Sequence, residues 1–150
     1  RESWDMSLWV RGREQELKMR NVVGEVVEGP DNWKGKRVVG EINLACDECR
    51  FCIKKIPTHC EKRTVLGIVN KDGAMAEYVT IPTKNLHPVG QTISDEEAVF
   101  VEPLAAALEI QEQIKISKDE KVLVIGDGKL GNLISQTLMH TGCSLTIKGR

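Results

Sequence analysis

The sequence predicts a mixed α/β chain in two parts: a β-rich part over residues 1–95 that carries a cysteine loop, and from residue 96 the beginning of a βαβ unit. Three observations carry this. Short valine-rich runs, "VVGEVV" and "RVVGEI", recur from Val22 onward, separated by the turn-rich "EGPDNWKGK". Four of the five cysteines crowd into "ACDECRFCIKKIPTHC". Near the end, the apolar run "VLVIG" meets "GDGKLG", a helical segment "NLISQTLMHTG" and a second apolar run "SLTIKG", which is a βαβ pattern.

Taken in order, residues 1–20 mix tryptophans with charges and show no clean period, so no element is predicted there. Beyond the cysteines, "TVLGIV" and "AMAEYVTI" flank "NKDG", which reads as a hairpin with turn chemistry from Asn70, Asp72 and Gly73. At Ser94 the texture changes. Glu97 stands three residues on, the spacing of a capping box at a helix start, and Pro103 is expected to break or kink that helix before "LAAALEIQEQI" resumes it.

Composition bounds the function. Of 150 residues, 41% are hydrophobic and 29% charged, with a net charge of −1, which is ordinary globular composition and names no nucleic acid or anionic membrane as partner. The apolar run "AVFVEPLAAALEI" is interrupted by Glu102 and Pro103 and falls short of the roughly 20 residues a membrane-spanning helix needs. The chain opens "RESWDMSLWV", as an internal fragment or processed product would, without an apolar secretory region, and a cytoplasmic location is expected. In that reducing compartment, clustered cysteines mark a metal more often than a disulfide framework.

Cys46, Cys49, Cys52 and Cys60 are spaced C-x2-C-x2-C-x7-C. Two tight turns bring three thiolates to one side of a loop, and the arc "IKKIPTH" returns the fourth, so that four sulfurs can surround an ion at about 2.3 Å, as in structural zinc. With four protein ligands such a site staples a loop and leaves no position for substrate. The competing reading is an iron–sulfur cluster, whose bacterial ferredoxin spacing also begins C-x2-C-x2-C but continues x3-C-P. Here Glu61 follows the fourth cysteine. His59 reads as a polar loop residue, His87 as structural and Cys143 as a small buried hydrophobe; Trp4, Trp9 and Trp33 read as core or interface residues.

Gly126, Gly128 and Gly131 form G-x-G-x-x-G between a strand and a helix. In a dinucleotide site the first glycine makes the tight turn, the second lets backbone approach a pyrophosphate, and the third lets helix and strand pack closely. The bland alternative is a tight turn with no ligand. The acid that binds a ribose hydroxyl belongs roughly 20 residues on, where this chain has Lys148, Gly149 and Arg150. Bases without an acid suit a 2′-phosphate, so NADP is expected over NAD, unless Lys148 and Arg150 are merely solvated. Asp127, inside the loop, is not expected to be that acid.

These motifs, with "GKRVVGEINLAC", "GAMAEYVTIP", "NLHPVG" and "DEEAVFVEPLAAALE" in this order, resemble the zinc-containing medium-chain alcohol dehydrogenase family from about Val22 to the end. The resemblance implies a GroES-like β domain with a structural-zinc lobe, an incomplete Rossmann domain after it, and hydride transfer between NAD(P) and a small alcohol or polyol held on a second, catalytic zinc. Glu102 before Pro103 matches the Glu-Pro ligand of polyol and threonine dehydrogenases. The bland alternative is an exposed carboxylate between two helices. The other two catalytic ligands are not found: Met19-Arg20-Asn21 stands where Gly-His-Glu is expected, no cysteine precedes Cys46 and no histidine precedes His59. An Arg20–Glu102 ion pair is expected in place of the metal. Two functions follow, a dehydrogenase or a zinc-binding relative that cannot turn over. A zinc ribbon on nucleic acid is disfavoured by the balanced charge. Two nucleotide-domain strands without the rest of that sheet leave apolar faces uncovered, so poor stability or dependence on another copy of the chain is expected.

Overall fold

The computed structural model describes residues 7–12 and 22–149. The chain falls into two compact units, Arg1–Phe100 and Val101–Arg150.

The first unit is built on strands β1 (Ser7–Gly12), β2 (Val22–Glu28) and β3 (Arg37–Gly40), a short β4 (Asn43–Leu44), a one-turn helix α1 (Arg50–Ile53), β5 (Thr64–Val65), β6 (Tyr78–Pro82), β7 (Leu86–Pro88) and helix α2 (Asp95–Ala98). Five strands make one antiparallel sheet in the order β6-β1-β2-β3-β7, and β4 pairs with β5 apart from it. The valine doublets explain the layering. Neighbouring side chains on a strand point to opposite faces, and in β2 both Val22 and Val23 are buried, as are Val38 and Val39 in β3. Val22 and Val38 join Leu8, Val10, Val26, Leu66, Val79, Ile81 and Leu86 in the main core, whereas Val23 and Val39 pack against Ala98 of α2. Both faces of this part of the sheet are therefore covered.

β1 is the element the sequence reading missed. "LWVR" alternates over only four residues, with Leu8 and Val10 fully buried and Trp9 and Arg11 exposed. That is too short to register as a period beside unpatterned neighbours, yet β1 lies inside the sheet between β6 and β2. The expected hairpin is also corrected. β6 pairs with β1, Ser7 opposite Pro82 and Arg11 opposite Tyr78, rather than with the "TVLGIV" run. That run turns back on itself, with Val65 and Val69 bridged and the Gly67 N–H donating to the Lys71 carbonyl oxygen at 2.9 Å. Gly67 (φ 68°) and Asn70 (φ 48°) take left-handed conformations open to those residue types. The turn residues are real, but they close a loop and not a hairpin.

The capping box stands as read: Ser94 Oγ accepts from the Glu97 N–H at 3.2 Å, and Glu97 Oε2 accepts from the Ser94 N–H at 2.7 Å. Arg37 fixes the approach to α2 by donating to the Gly90 and Ile93 carbonyl oxygens and lying 3.2 Å from Asp95.

The second unit holds α3 (Val101–Gln113), β8 (Lys121–Ile125), α4 (Lys129–Met139) and β9 (Ser144–Lys148). β8 and β9 are parallel with α4 as their crossover, the first βαβ of a Rossmann sheet whose full form has two βαβαβ halves. The expected break is present: α2 ends at Ala98 and α3 begins at Val101, because in one continuous helix the ring of Pro103 would meet the Val99 carbonyl. Pro103 sits in the first turn of α3, where its missing N–H has no helical acceptor to lose. The strands are apolar but poorly covered within this unit: Leu123 is 55% and Ile125 79% exposed. Cys143 is half-buried rather than buried. Among the described residues no helix is long and apolar enough to cross a membrane.

Candidate metal centre and nucleotide loop

The cysteine loop runs between β4 and β5, which pair and so hold its two ends together. Cys46 follows β4, Cys49 precedes α1, Cys52 lies on it, and Cys60 follows a 3-10 turn over Pro57–His59. Two left-handed residues make the bends, Asp47 (φ 61°) and Lys55 (φ 60°). After α1 the Lys55 N–H donates to the Cys52 carbonyl oxygen at 2.9 Å and the Ile56 N–H to that of Phe51 at 2.9 Å, the paired bonds of a Schellman ending that turns the chain back.

The four ligand sulfurs all lie within 4.8 Å of one another, with Cys49 and Cys52 3.5 Å apart and Cys46 and Cys60 3.5 Å apart. Tetrahedral zinc with bonds of about 2.3 Å sets its sulfurs about 3.8 Å apart, so the residues fit a single ion. An iron–sulfur cluster, with several metal atoms at its centre, needs its thiolates farther apart. Backbone donors favour the thiolate form. The N–H of Cys46 reaches Cys60 Sγ at 3.4 Å and holds that thiol below its ordinary range. Backbone donation from Cys52 brings Cys49 down to about 6, while burial pushes Cys52 up to about 12. A bound cation removes the difference by stabilising all four thiolates.

Around the sulfurs the loop is tied by charge. Arg50 meets Glu61 at 2.5 Å and Lys62 meets Glu48 at 2.6 Å, and Lys84 donates to Asp47 and, at 2.9 Å, to the Ala45 carbonyl oxygen. The Lys62 contact lowers Glu48 and raises Lys62. None of these pairs was read from the sequence; their partners lie 11 to 39 residues apart, and no local spacing signals them. His59 is outside the sulfur cluster and sits near the Thr58 hydroxyl and the Phe51 ring. His87 lies 2.8 Å from Glu41, both exposed.

In the second unit the three glycines of the turn stand in different surroundings. A Cβ on Gly131 would stand 2.2 Å from the Gly126 carbonyl oxygen, so the close contact of helix and turn requires glycine there. Gly126 has φ 112°, a conformation side chains resist. A Cβ on Gly128, the N-cap of α4, would meet nothing within 4 Å, which leaves open space beside the first N–H groups of the helix. A helix N-terminus with free space before it suits an anion. Asp127 lies against the end of β9, where a Cβ on Gly149 would come within 2.4 Å of its Oδ2.

Glu102 is half-buried in the first turn of α3, and among the described residues the four cysteines are the only cluster of three or more metal-binding side chains. Arg20, the partner expected for it, and Arg150 both lie outside the described residues, as does Trp4. Of the other tryptophans, Trp33 flanks the main core and Trp9 is 44% exposed.

Comparison with known proteins agrees with this geometry. The alcohol dehydrogenase GroES-like domain matches residues 17–91, half the chain. An L-threonine 3-dehydrogenase of Pseudoalteromonas translucida is 34% identical over 124 residues, covering 80% of this chain and 36% of that protein. The chain thus spans about a third of the length of the curated relatives it matches. A Sinorhizobium meliloti protein described as a zinc-binding dehydrogenase, solved with NADP, superposes with a TM-score of 0.82 at 24% identity over 98% of this chain and 50% of that one. An Escherichia coli alcohol dehydrogenase solved with NADH gives 0.79 at 21% identity, over 95% and 56%. At those identities the structures speak for the fold alone. With the domain match across half its length, the chain belongs to the alcohol dehydrogenase GroES-like family.

Proposed function

We propose that this chain is part of a zinc-dependent, NAD(P)-linked dehydrogenase acting on a small alcohol or polyol, with residues 1–95 as its GroES-like domain and 96–150 as the start of its nucleotide-binding domain. The observation that carries the reading is the pairing, in one chain, of a four-cysteine centre that fits a single ion with a glycine turn open at Gly128. The relative named L-threonine 3-dehydrogenase supports the reaction class.

In this reading Cys46, Cys49, Cys52 and Cys60 hold a structural zinc, and Gly126, Gly128, Gly131 and Arg150 line the cofactor. The nicotinamide, when bound, supplies the hydride acceptor. The chain's own part is to seat the pyrophosphate against the N-terminus of α4 and to keep the lobe folded. Two features at the end of β9 pull the choice of cofactor in opposite directions, the bases Lys148 and Arg150 toward NADP and the Asp127 carboxylate toward NAD. Glu102 is proposed as a catalytic-zinc ligand. Among the described residues it belongs to no group of three or more metal-binding side chains, and no step is assigned to that metal. Action in the cytoplasm, as a homo-oligomer, belongs to the same proposal.

Two measurements on the full-length protein test it. Reduced nicotinamide should form with at least one member of a panel of secondary alcohols and polyols, threonine included. One tightly held zinc per chain is expected from the cysteine lobe alone, and a second would place a catalytic metal. A zinc-loaded, cofactor-binding protein that oxidises none of the panel would favour the reading as a relative that cannot turn over.

A further inference from the structure

At the carboxyl end of β9, where a dinucleotide-binding sheet normally supplies an acid to the adenine-side ribose, the chain offers Lys148, Gly149 and Arg150. An acid nevertheless occupies that place. Asp127, from inside the glycine turn, lies so close over Gly149 that an added Cβ would be 2.4 Å from its Oδ2 and 2.8 Å from its Cγ. The two segments are locked in this register by the backbone, since the Gly126 N–H donates to the Lys148 carbonyl oxygen at 2.8 Å and Ile125 stands opposite Lys148. Asn132 Nδ2 donates to the Asp127 carbonyl oxygen at 2.8 Å, which fixes the main chain on the other side of the turn. The carboxylate itself is exposed and has no hydrogen-bond or ion-pair partner among the described residues.

We propose that Asp127 is the ribose-reading residue of the nucleotide site, a loop acid standing in for the missing acid of the strand end, and that it selects NAD over NADP. The inference rests on the dinucleotide reading given above. A free carboxylate accepts hydrogen bonds from a ribose 2′- and 3′-hydroxyl and repels a 2′-phosphate. Repulsion between a carboxylate and a doubly charged phosphate about 5 Å apart, even at the dielectric constant of water, amounts to about tenfold or more in affinity. Of the opposing bases, Lys148 is placed less well. Side chains alternate along a strand, so Lys148 leaves β9 on the face opposite the one toward which a Gly149 side chain would point, and Asp127 occupies the latter. Gly149 is then a positioning residue, because any side chain there displaces the carboxylate.

The test is a pair of fluorescence titrations, NADH and NADPH, on the full-length zinc-loaded protein and on Asp127→Ser and Gly149→Ala. Wild type should bind NADH about tenfold tighter than NADPH. Asp127→Ser should bring the two dissociation constants together, chiefly by tightening NADPH, with zinc content and melting temperature unchanged. Gly149→Ala should move the ratio the same way with the charge still present, and it decides the matter if Asp127→Ser does not fold. A wild type that prefers NADPH, or a ratio that neither substitution moves, overturns the inference while leaving the dinucleotide reading intact. Failure of both nucleotides to bind removes that reading, and the inference with it.

Discussion

The five-stranded sheet and the cysteine lobe lie in the same unit, yet they are held by different physics. The sheet buries Leu8, Val10, Val22, Val26, Val38 and Ile81 at 2% exposure or less, and that apolar burial is what opposes its conformational entropy. The lobe has almost no such core. Neither α1 nor the turn over Pro57–His59 buries a side chain, and Ile53 is 71% exposed. What remains is four sulfurs around one point and a set of surface ion pairs, and ion pairs in water contribute little. The lobe should therefore be conditional on metal, and the sheet should not.

Removing the metal is the strongest way to break this comparison. Structural zinc in small domains has an apparent binding free energy of roughly 10 kcal/mol or more near neutral pH. Chelation, or Cys60→Ser, should abolish amide protection over residues 46–63 while β1, β2 and β3 stay protected in hydrogen exchange. Simultaneous loss in both regions would mean that the lobe supports the sheet. The converse is Leu8→Ala. It should cost about 3 kcal/mol in urea unfolding with the zinc content of the remaining folded protein unchanged.

A smaller effect is expected at the far face of the sheet, where the capping box sets α2 over Val23 and Val39. Ser94→Ala should cost about 1 kcal/mol. Its pH dependence has a definite sign. Donation from the Ser94 N–H lowers Glu97 below its ordinary value of 4.5, so this contribution is fully present above that value and is lost as pH falls through the lowered one. Glu97→Gln should flatten the acid limb of the stability profile, and an unchanged limb would assign it to other carboxylates. The smallest effect belongs to Lys62→Ala at the lobe surface. It should leave the urea unfolding midpoint unchanged, and a measurable loss of zinc affinity would show that the surface charges do hold the lobe.

Legibility in the sequence followed the range of the interaction. The cysteine centre, the capping box and the glycine turn are each set by residues within fifteen positions, and their spacing could be read directly. β2 and β3 announced themselves through valine doublets. What failed was pairing at a distance. The apolar run before "NKDG" and the strand after it suggested a hairpin because they are neighbours, but β6 gains more by lining β1, where Val79 and Ile81 meet Val10 and Leu8 across the strands. β1 escaped notice because its pattern is four residues long. The approach of Asp127 to Gly149 was likewise out of reach, because only the βαβ crossover brings the two together.

The pairing of Ser7 with Pro82 also orders events during synthesis. β1 and β2 can meet as soon as both have left the ribosome, but the outer edge of β1 waits for the stretch from Glu28 to Pro82, roughly three to eleven seconds of elongation. Through that interval an interior strand carrying Leu8 and Val10 stands as a bare edge, the kind that adds a neighbouring chain. For a nascent chain the hazardous stage therefore lies between the emergence of β2 and that of β6, and a chaperone that covers β1 would be most useful then.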